Sequence, residues 1–288
     1  MQDSQAAPAA STESLATPEE LYLDLLKKSL SRYLHPEVHQ NLSTYLTSRR
    51  LSLRLLLYLR RLLAPIHLDL VVVRPYDPRA RAEGRDFSRE LETMIGLKRL
   101  DNLQFCVVDV LRRKVPGDLI EAGVWRGGAT IFMRAVLKAY GDQERRVWVA
   151  DSFEGMPAPD PERFPDDAGL WTAGIDAAPL EDVRRNFARY GMLDDGVRFL
   201  KGFFKDTLPH APIDRLAVLR IDADMYQSTT EALTYLYPKL SVGGYVIVDD
   251  YGAFEVCRKA VHDYRKAQGI TEEIRHIDWT GVFWQKQG

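Results

Sequence analysis

The chain is poor in cysteine and has no long uninterrupted apolar run. Its 288 residues include two cysteines, Cys106 and Cys257, which are too few for a disulfide framework, a zinc site of several thiolates or an iron–sulfur cluster. The longest leucine-rich stretch, residues 51–63, is interrupted by arginines and is shorter than the roughly 20 apolar residues of a membrane-spanning helix. We therefore expect a protein with reduced thiols and no membrane span, located in the cytoplasm.

An excess of charge of one sign is also missing. Lys and Arg number 39 against 41 Asp and Glu, which gives a formal net charge of −2 at pH 7. No chain-wide basic field would therefore hold nucleic acid through its phosphates. Residues 1–16 are rich in Ala, Ser, Pro and Gln and lack the basic and apolar regions of an export signal. We interpret them as a disordered lead-in to a globular chain.

Residues 17–89 are predicted to form a helical N-terminal segment. Thr17 to Glu20 form a capping-box pattern with proline at the first helical position, which predicts a helix to about Leu34. A second helix is predicted over residues 44–63, with leucines on one face and arginines on another. The leucine face could pack on the core, which we favour, or lie on a membrane surface. Residues 74–88 mix Arg, Asp, Pro and Gly and are predicted to be a loop.

Residues 90–288 alternate short apolar runs with longer helical patterns. Apolar strands spaced by helices predict an α/β domain with a doubly wound, mostly parallel sheet and helices on both faces. Strands are predicted at 118–123, 147–151, 197–201, 216–222, 245–249, 274–278 and 281–286, and helices from about 124 to 140 and near 180–190, 228–239 and 254–268.

Four of the predicted strands end in carboxylates. These acids are Glu121, Asp151, Asp222 and the pair Asp249 and Asp250. Helix capping could explain any one of them. Several at one edge of a sheet would repel one another unless something positive lies between them, and this edge is where ligands bind in doubly wound sheets.

The glycine turn after the first strand of this sheet lacks the G-x-G-x-x-G pattern of dinucleotide sites. Between Gly123 and Gly127 stand Trp125 and Arg126, which would crowd a bound pyrophosphate. The turn therefore favours S-adenosylmethionine (SAM) over NAD. Asp151 is then placed to bind the ribose hydroxyls, and Glu121 could face the cationic amino-acid end of the cofactor.

The acids of the fourth and fifth strands indicate a metal site. Asp222, Asp224, Asp249 and Asp250 follow neighbouring strands, which lie about 4.8 Å apart in a sheet. Ligation by carboxylate oxygens alone suits Mg²⁺ or another hard divalent ion. The alternative is a set of helix caps and turn acids without a metal.

Seven segments of the sequence carry a resemblance to a known family. They are TMIGLKRL (93–100), PGDLIEAGVWRGG (116–128), DSFEGMP (151–157), RNFARYG (185–191), GFFKDTL (202–208), RIDADMY (220–226) and VDDY (248–251). In this order they resemble the macrocin O-methyltransferase family, whose members are SAM- and metal-dependent and methylate deoxysugars of antibiotics. The resemblance implies the class I SAM-dependent methyltransferase fold with a seven-stranded sheet. It covers residues 90–288 and the first helix, whereas residues 35–88 look longer and more basic than the family's segment.

The resemblance also implies roles for individual residues. Asp222, Asp249 and Asp250 match the metal ligands, and Asp222 or Asp224 would accept the proton of the sugar hydroxyl. In relatives, the segment before residue 90 covers the active site or forms the dimer, so a homo-oligomer is expected. The cofactor-binding positions are Thr93, Met94, Glu121, Gly123, Arg126, Asp151, Ser152, Gly202 and Phe203.

These observations lead to one functional hypothesis and two alternatives. The hypothesis is a SAM- and Mg²⁺-dependent O-methyltransferase that acts on a sugar hydroxyl of a glycosylated natural product in antibiotic biosynthesis. The first alternative is a metal-dependent enzyme that methylates a catechol-like or other phenolic hydroxyl. The second is a non-catalytic SAM-binding protein, which would not need Asp222, Asp249 and Asp250. The long segment 153–178 is predicted to be a lid over the sugar.

Overall fold

A computed structural model of the protein describes residues 16–41, 51–86, 88, 90–169 and 176–288. Three of the predictions fall partly outside these ranges. They are the lead-in, the first seven residues of the second predicted helix, and the part of the proposed lid that contains Leu170 and Trp171. Within the described ranges, no helix is long and apolar enough to cross a membrane.

The first helix, α1, begins as predicted. It spans Pro18–Leu30, and the Thr17 hydroxyl accepts a hydrogen bond from the Glu20 amide at 3.3 Å while the Glu20 carboxylate accepts from the Thr17 amide at 2.9 Å. The helix ends at Leu30 rather than near Leu34, because residues 31–34 form a turn. Leu23, Leu26 and Leu30 are buried in the core that also holds the helices after residue 96.

The rest of the N-terminal segment contains one predicted helix and a ribbon that the sequence did not predict. The helix α2 spans Leu51–Leu63, within the predicted range of 44–63, and is followed by a 3-10 turn over Ala64–Ile66. Leu55 and Leu59 of α2 are exposed, so the favoured packing of its leucine face on the core is not observed. Strands β1 (Val38–Asn41) and β2 (Val71–Arg74) pair as an antiparallel ribbon. The prediction of a loop over 74–88 is wrong in part. A short helix, α3 (Pro78–Ala82), begins where the Asp77 carboxylate accepts hydrogen bonds from two amides of its first turn.

A seven-stranded sheet forms the centre of the protein. Its order is β5-β4-β3-β6-β7-β9-β8; β3 to β7 are parallel, and β9 runs antiparallel to both β7 and β8. This confirms the predicted mostly parallel, doubly wound sheet. The strands are β3 (Asp118–Ala122), β4 (Val147–Asp151), β5 (Val197–Lys201), β6 (Leu216–Ile221), β7 (Leu240–Val248), β8 (Arg275–His276) and β9 (Val282–Gln285).

Helices cover both faces of this sheet. They are α4 (Leu97–Arg112), α5 (Gly128–Ala139), α6 (Leu180–Arg189), α7 (Phe204–Thr207), α8 (Tyr226–Leu236) and α9 (Glu255–Gln268), with 3-10 turns at Pro165–Gly169, Leu208–His210 and Tyr237–Lys239. The helix α4 was not predicted from the sequence. Apolar residues of α1, α4, α5 and α6 form one core, and those of α8 and α9 form the other. Residues from before and after position 90 therefore share the first core.

The strand order determines where a ligand can bind. From β3 the chain adds β4 and β5 on one side, and β6 and β7 on the other. The point between β3 and β6 is therefore the topological switch point, where a crevice opens at the carboxyl ends of the strands.

Candidate active site

A cavity of about 420 Å³ lies at the carboxyl ends of β3, β4, β6 and β7. This volume is in the range of small-molecule pockets. Most of the residues predicted from the sequence line it, but Thr93, Glu121, Arg126 and Gly202 do not. The predicted residues among those lining the cavity are Met94, Gly123, Asp151, Ser152, Phe203, Asp222, Asp224, Asp249 and Asp250.

Three carboxylates converge at the β6–β7 end of this cavity. Asp222, Asp224 and Asp250 each offer an oxygen within 4.8 Å of the others. Burial, and then the neighbouring carboxylates, raise the pKa of Asp224 to about 7 and also raise the pKa of Asp222 and of Asp250. A bound cation would relieve this repulsion, since an opposite charge favours the ionised carboxylates.

Asp224 has a strained backbone. Its φ is +54°, in the left-handed region that non-glycine residues rarely adopt, and its amide donates a hydrogen bond to Asp250 Oδ2 at 3.3 Å. Trp125 and Asp176, which also line the cavity, have φ values of +47° and +55°. Such strain concentrates at functional sites, where the surrounding structure maintains it.

Asp249 is oriented differently from the three converging acids. One of its oxygens accepts a hydrogen bond from Arg99 and the other accepts from Arg220, and the side chain is buried. The structure thus brings together two residues of the predicted metal set, Asp222 and Asp250, and places Asp224 beside them where Asp249 was expected.

Arg220 is a residue of this site that was not predicted from the sequence. It is 1% exposed and donates to Glu121, to Asp249 and, at 2.8 Å, to Asp222 Oδ2. A sequence signal existed, because an arginine inside the apolar strand β6 must be buried, and a buried charge needs partners.

Glu121 contacts this arginine instead of the cavity. Burial raises the pKa of the Glu121 carboxyl to about 8, although the Arg220 guanidinium opposes that shift. The carboxylate does not line the cavity. Glu121 is therefore placed to hold Arg220. We do not assign it the predicted contact with the amino-acid end of the cofactor.

The turn after β3 is held by the acid at the end of β4. The Asp151 carboxylate accepts hydrogen bonds from the amides of Val124 at 2.8 Å, Trp125 at 3.3 Å and Phe153 at 2.7 Å, and from the Ser152 hydroxyl at 3.4 Å. Two of these contacts are long, so the carboxylate retains capacity for a further donor from the cavity.

Two other residues of this turn have roles that differ from those predicted. A Cβ on Gly123, whose φ is +88°, would lie 1.7 Å from the Asp222 carbonyl oxygen, so the glycine is required by strand packing as well as by the cavity. The Arg126 guanidinium donates to the Leu91 carbonyl at 2.9 Å and lies over the Trp125 ring. Only Trp125 of these two side chains lines the cavity.

Thr93 and Gly202 do not line the cavity but lie next to residues that do. Thr93 is buried, and its hydroxyl accepts from the Ile95 amide at 3.4 Å, beside the Met94 that lines the cavity. The Gly202 amide donates to the Asp151 carbonyl at 2.9 Å, which holds Phe203 at the cavity wall.

The segment after β4 is anchored beside the acids. The buried Asp167 carboxylate accepts hydrogen bonds from the amides of Tyr226 at 2.7 Å and Gln227 at 2.9 Å, at the start of α8. Gly155, Met156 and Pro157 line the cavity. The described parts of the predicted lid, residues 153–169 and 176–178, thus contribute to the wall of the site.

The comparisons with known proteins agree with this geometry. The sequence model of the macrocin-O-methyltransferase (TylF) family matches residues 19–286, including residues 35–88, which the sequence analysis had set apart. The chain is 52% identical over 269 residues to an 8-demethyl-8-(2,3-dimethoxy-alpha-L-rhamnosyl)-tetracenomycin-C 4'-O-methyltransferase of Streptomyces olivaceus, covering 92% of each chain. It is 45% identical over 278 residues to a mycinamicin III 3''-O-methyltransferase of Micromonospora griseorubida, covering 95% of this chain and 99% of the relative.

A solved structure shows that the fold is also shared with a known O-methyltransferase. The O-methyltransferase NovP superposes with a TM-score of 0.79 at 43% sequence identity, covering 94% of this chain and all of that one. The family match spans nearly the whole chain and the fold is shared throughout. The chain therefore belongs to the macrocin-O-methyltransferase family and is a class I SAM-dependent O-methyltransferase.

Proposed function

We propose that this enzyme methylates a sugar hydroxyl of a glycosylated natural product, in antibiotic biosynthesis, and that it requires Mg²⁺ or another hard divalent cation. The observation that carries the proposal is the convergence of Asp222, Asp224 and Asp250 at one end of the cavity. The relatives from Streptomyces and Micromonospora are named for methylating sugars on tetracenomycin and mycinamicin, which supports a glycoside as the acceptor.

The two ends of the cavity would bind different reactants. Met94, Asp151, Ser152 and Phe203 lie on the β3–β4 side, where Asp151 would accept hydrogen bonds from the ribose hydroxyls and Phe203 would lie near the adenine. SAM supplies the electrophilic methyl carbon. The residues on this side would orient the cofactor towards the acids at the ends of β6 and β7, so that donor and acceptor meet in one cavity.

Asp222, Asp224 and Asp250 would hold the cation, since all-oxygen ligation suits Mg²⁺. The ion, when bound, lowers the pKa of an acceptor hydroxyl and stabilises its oxyanion. Asp249 is a weaker ligand candidate because both its oxygens already accept from arginines.

Asp224 is our candidate for the proton acceptor. Asp222 pairs with Arg220 at 2.8 Å, whereas no arginine or lysine pairs with Asp224 within the described part of the chain. A carboxylate that ligates through one oxygen still has the other available for the proton.

We also propose a homo-oligomer formed through α2. Leu55, Leu59 and Leu62 are exposed and follow the alternating four- and three-residue spacing of helices that pack against each other. Exposed apolar patches of this kind mark interaction surfaces, and a second copy of α2 would match the spacing.

The function is tested by incubating the protein with SAM, Mg²⁺ and three acceptors, and measuring the gain of one methyl group by mass spectrometry. The acceptors are a rhamnosylated tetracenomycin, mycinamicin III and catechol. We expect a glycoside to be methylated, EDTA to abolish turnover and added Mg²⁺ to restore it. Methylation of catechol alone would support the phenolic alternative, and full activity in EDTA would contradict the metal requirement.

Matched variants distinguish the carboxylates of the proposed site from other acidic residues of the chain. Asp224→Asn and Asp250→Asn should lower kcat by about 100-fold or more and leave the SAM dissociation constant unchanged, because the proposed SAM contacts lie at β3 and β4. Asp182→Asn is the control, since Asp182 pairs with Arg185 and does not line the cavity. Equal losses in the control and the site variants would contradict the assignment.

A further inference from the structure

A half-exposed tryptophan lines the cavity near its acidic end. Trp279 lies in the turn between β8 and β9, is 41% exposed, and contributes to the cavity wall. An indole of this size is usually more deeply buried when its role is only to pack. Trp279 has no part in the sites assigned so far.

The indole ring is held in a fixed orientation. Its Nε1 donates a hydrogen bond to the Glu83 carbonyl at 2.9 Å, and the Arg85 guanidinium lies over the ring, 4.6 Å from its centroid. Arg85 does not line the cavity. The guanidinium therefore covers one face of the ring, and the ring as a whole contributes to the cavity wall.

The turn that carries Trp279 is tied to the acids. The Thr280 hydroxyl donates to the Asp249 carbonyl at 2.8 Å, and the Gly252 amide donates to the Thr280 carbonyl at 2.9 Å. A Cβ on Gly252 would lie 2.4 Å from the Trp279 carbonyl oxygen, so the two turns are in close contact. The position of Trp279 is thus fixed relative to Asp250.

We propose that Trp279 is the platform on which the sugar ring of the acceptor lies. This rests on the proposed function, in which the acceptor hydroxyl binds at Asp222, Asp224 and Asp250. The faces of a deoxysugar carry C–H groups, and the negative face of an indole attracts them. A platform next to the acids would hold the sugar so that one hydroxyl reaches them, which selects the hydroxyl that is methylated.

Two substitutions separate the ring face from the hydrogen bond. Trp279→Phe keeps an aromatic face and loses the donor to Glu83, whereas Trp279→Gln keeps a donor and loses the face. Using the glycoside that the wild-type enzyme methylates, we expect Trp279→Gln to raise KM about tenfold and Trp279→Phe to change it by less than about threefold. The SAM dissociation constant, measured by calorimetry, should be unchanged in both.

The free aglycone of the same glycoside tests whether the ring on the platform is the sugar. As a competitive inhibitor, it should bind the wild type and Trp279→Gln equally. A parallel loss of aglycone binding would overturn the sugar assignment. If Trp279→Gln does not fold, as judged by thermal unfolding, Trp279→Leu replaces it as the variant without a ring face.

The remaining outcomes overturn the proposal in distinct ways. Equal KM increases in the Phe and Gln variants would assign the effect to the bond with Glu83, and no increase in either would remove the platform. A weaker affinity for SAM in Trp279→Gln would indicate a general loss of the site. A wild-type enzyme that methylates catechol and no glycoside would overturn the proposed function itself, before any variant is compared.

Discussion

At the scale of single residues, the site depends on which carboxylates have a cationic partner. Arg220 lies between Glu121, Asp222 and Asp249, and Arg99 adds a second cation to Asp249. The two guanidinium groups oppose the cost of burying these carboxylates. Among the described residues, Asp224 and Asp250 line the cavity without an arginine partner. A bound cation would therefore stabilise these two carboxylates most.

This arrangement predicts a pH-dependent response of stability to Mg²⁺. Without metal, the Asp224 carboxyl keeps its proton up to about pH 7, whereas an unfolded aspartate loses it near pH 4. The folded chain therefore binds more protons than the unfolded chain between these values, and the free energy of unfolding falls as the pH rises through this window. Mg²⁺ binds the ionised carboxylates, so it should raise Tm more at pH 8 than at pH 6.

The measurement is thermal unfolding with and without Mg²⁺ at the two pH values. Saturation to about 100 times the dissociation constant stabilises a protein by roughly 2.7 kcal/mol, which is enough to measure. Asp224→Asn should show a smaller difference between pH 6 and pH 8, and Asp182→Asn should behave as the wild type. An equal Mg²⁺ effect at both pH values would contradict the prediction.

The sequence predicted Asp249 and Asp250 together as metal ligands and contains no signal that their surroundings differ. Both follow β7, and neighbouring side chains along a strand point in opposite directions. Which of the two faces the cavity depends on Arg99, which is 150 residues away in sequence from Asp249, and on Arg220. Such a long-range ion pair leaves no local pattern, whereas strand ends do, so the position of the site was predictable and its charge pairing was not.

At the scale of elements, the carboxyl ends of β3 and β6 are packed too closely for any side chain at Gly123. A Cβ there would lie 1.7 Å from the Asp222 carbonyl oxygen, and φ is +88°. The same turn supplies the Val124 and Trp125 amides that bind Asp151. Any displacement of this turn would therefore disturb both proposed halves of the site.

Gly123→Ala should consequently destabilise the protein far more than the same substitution at a glycine that has a positive φ but no close neighbour. We expect a loss of about 3 kcal/mol or more in the free energy of unfolding, together with weaker SAM binding. Gly191→Ala is the matched control, since its φ is +66° and no atom lies within 4 Å of the added Cβ; it should cost about 1 kcal/mol. Urea unfolding measures both, and similar losses in the two variants would contradict the packing argument.

Elements with a strong apolar pattern were predicted well, and short or amphipathic ones were not. The strands β3, β4, β5 and β6 agree with the prediction to within one residue at either end, because short, mainly apolar runs mark the strands of a parallel sheet. The ribbon of β1 and β2 has four residues in each strand, which is too short for a clear alternation. Its pairing joins residues 30 to 36 positions apart, so no local turn signal reveals it.

At the scale of the whole molecule, the leucine face of α2 predicts the assembly. Leu55 and Leu59 are 67% and 42% exposed, and an apolar face of this kind is buried against a partner in a stable protein. In the proposed homo-oligomer, Leu55→Glu with Leu59→Glu would place charges in that interface at a large desolvation cost. We therefore expect the wild type to be at least a dimer at micromolar concentration, and the double variant to be a monomer, by light scattering.

The control for this prediction is Val242→Glu, at a residue of β7 that is 61% exposed and far in sequence from α2. The variant should keep the wild-type mass, because the substituted residue lies outside the proposed interface. A monomeric wild type would contradict the assembly. Co-sedimentation of the wild type, but not of the double variant, with anionic liposomes would instead show that the leucine face and its arginines lie on a membrane surface, because a basic amphipathic helix binds there through apolar burial and charge together.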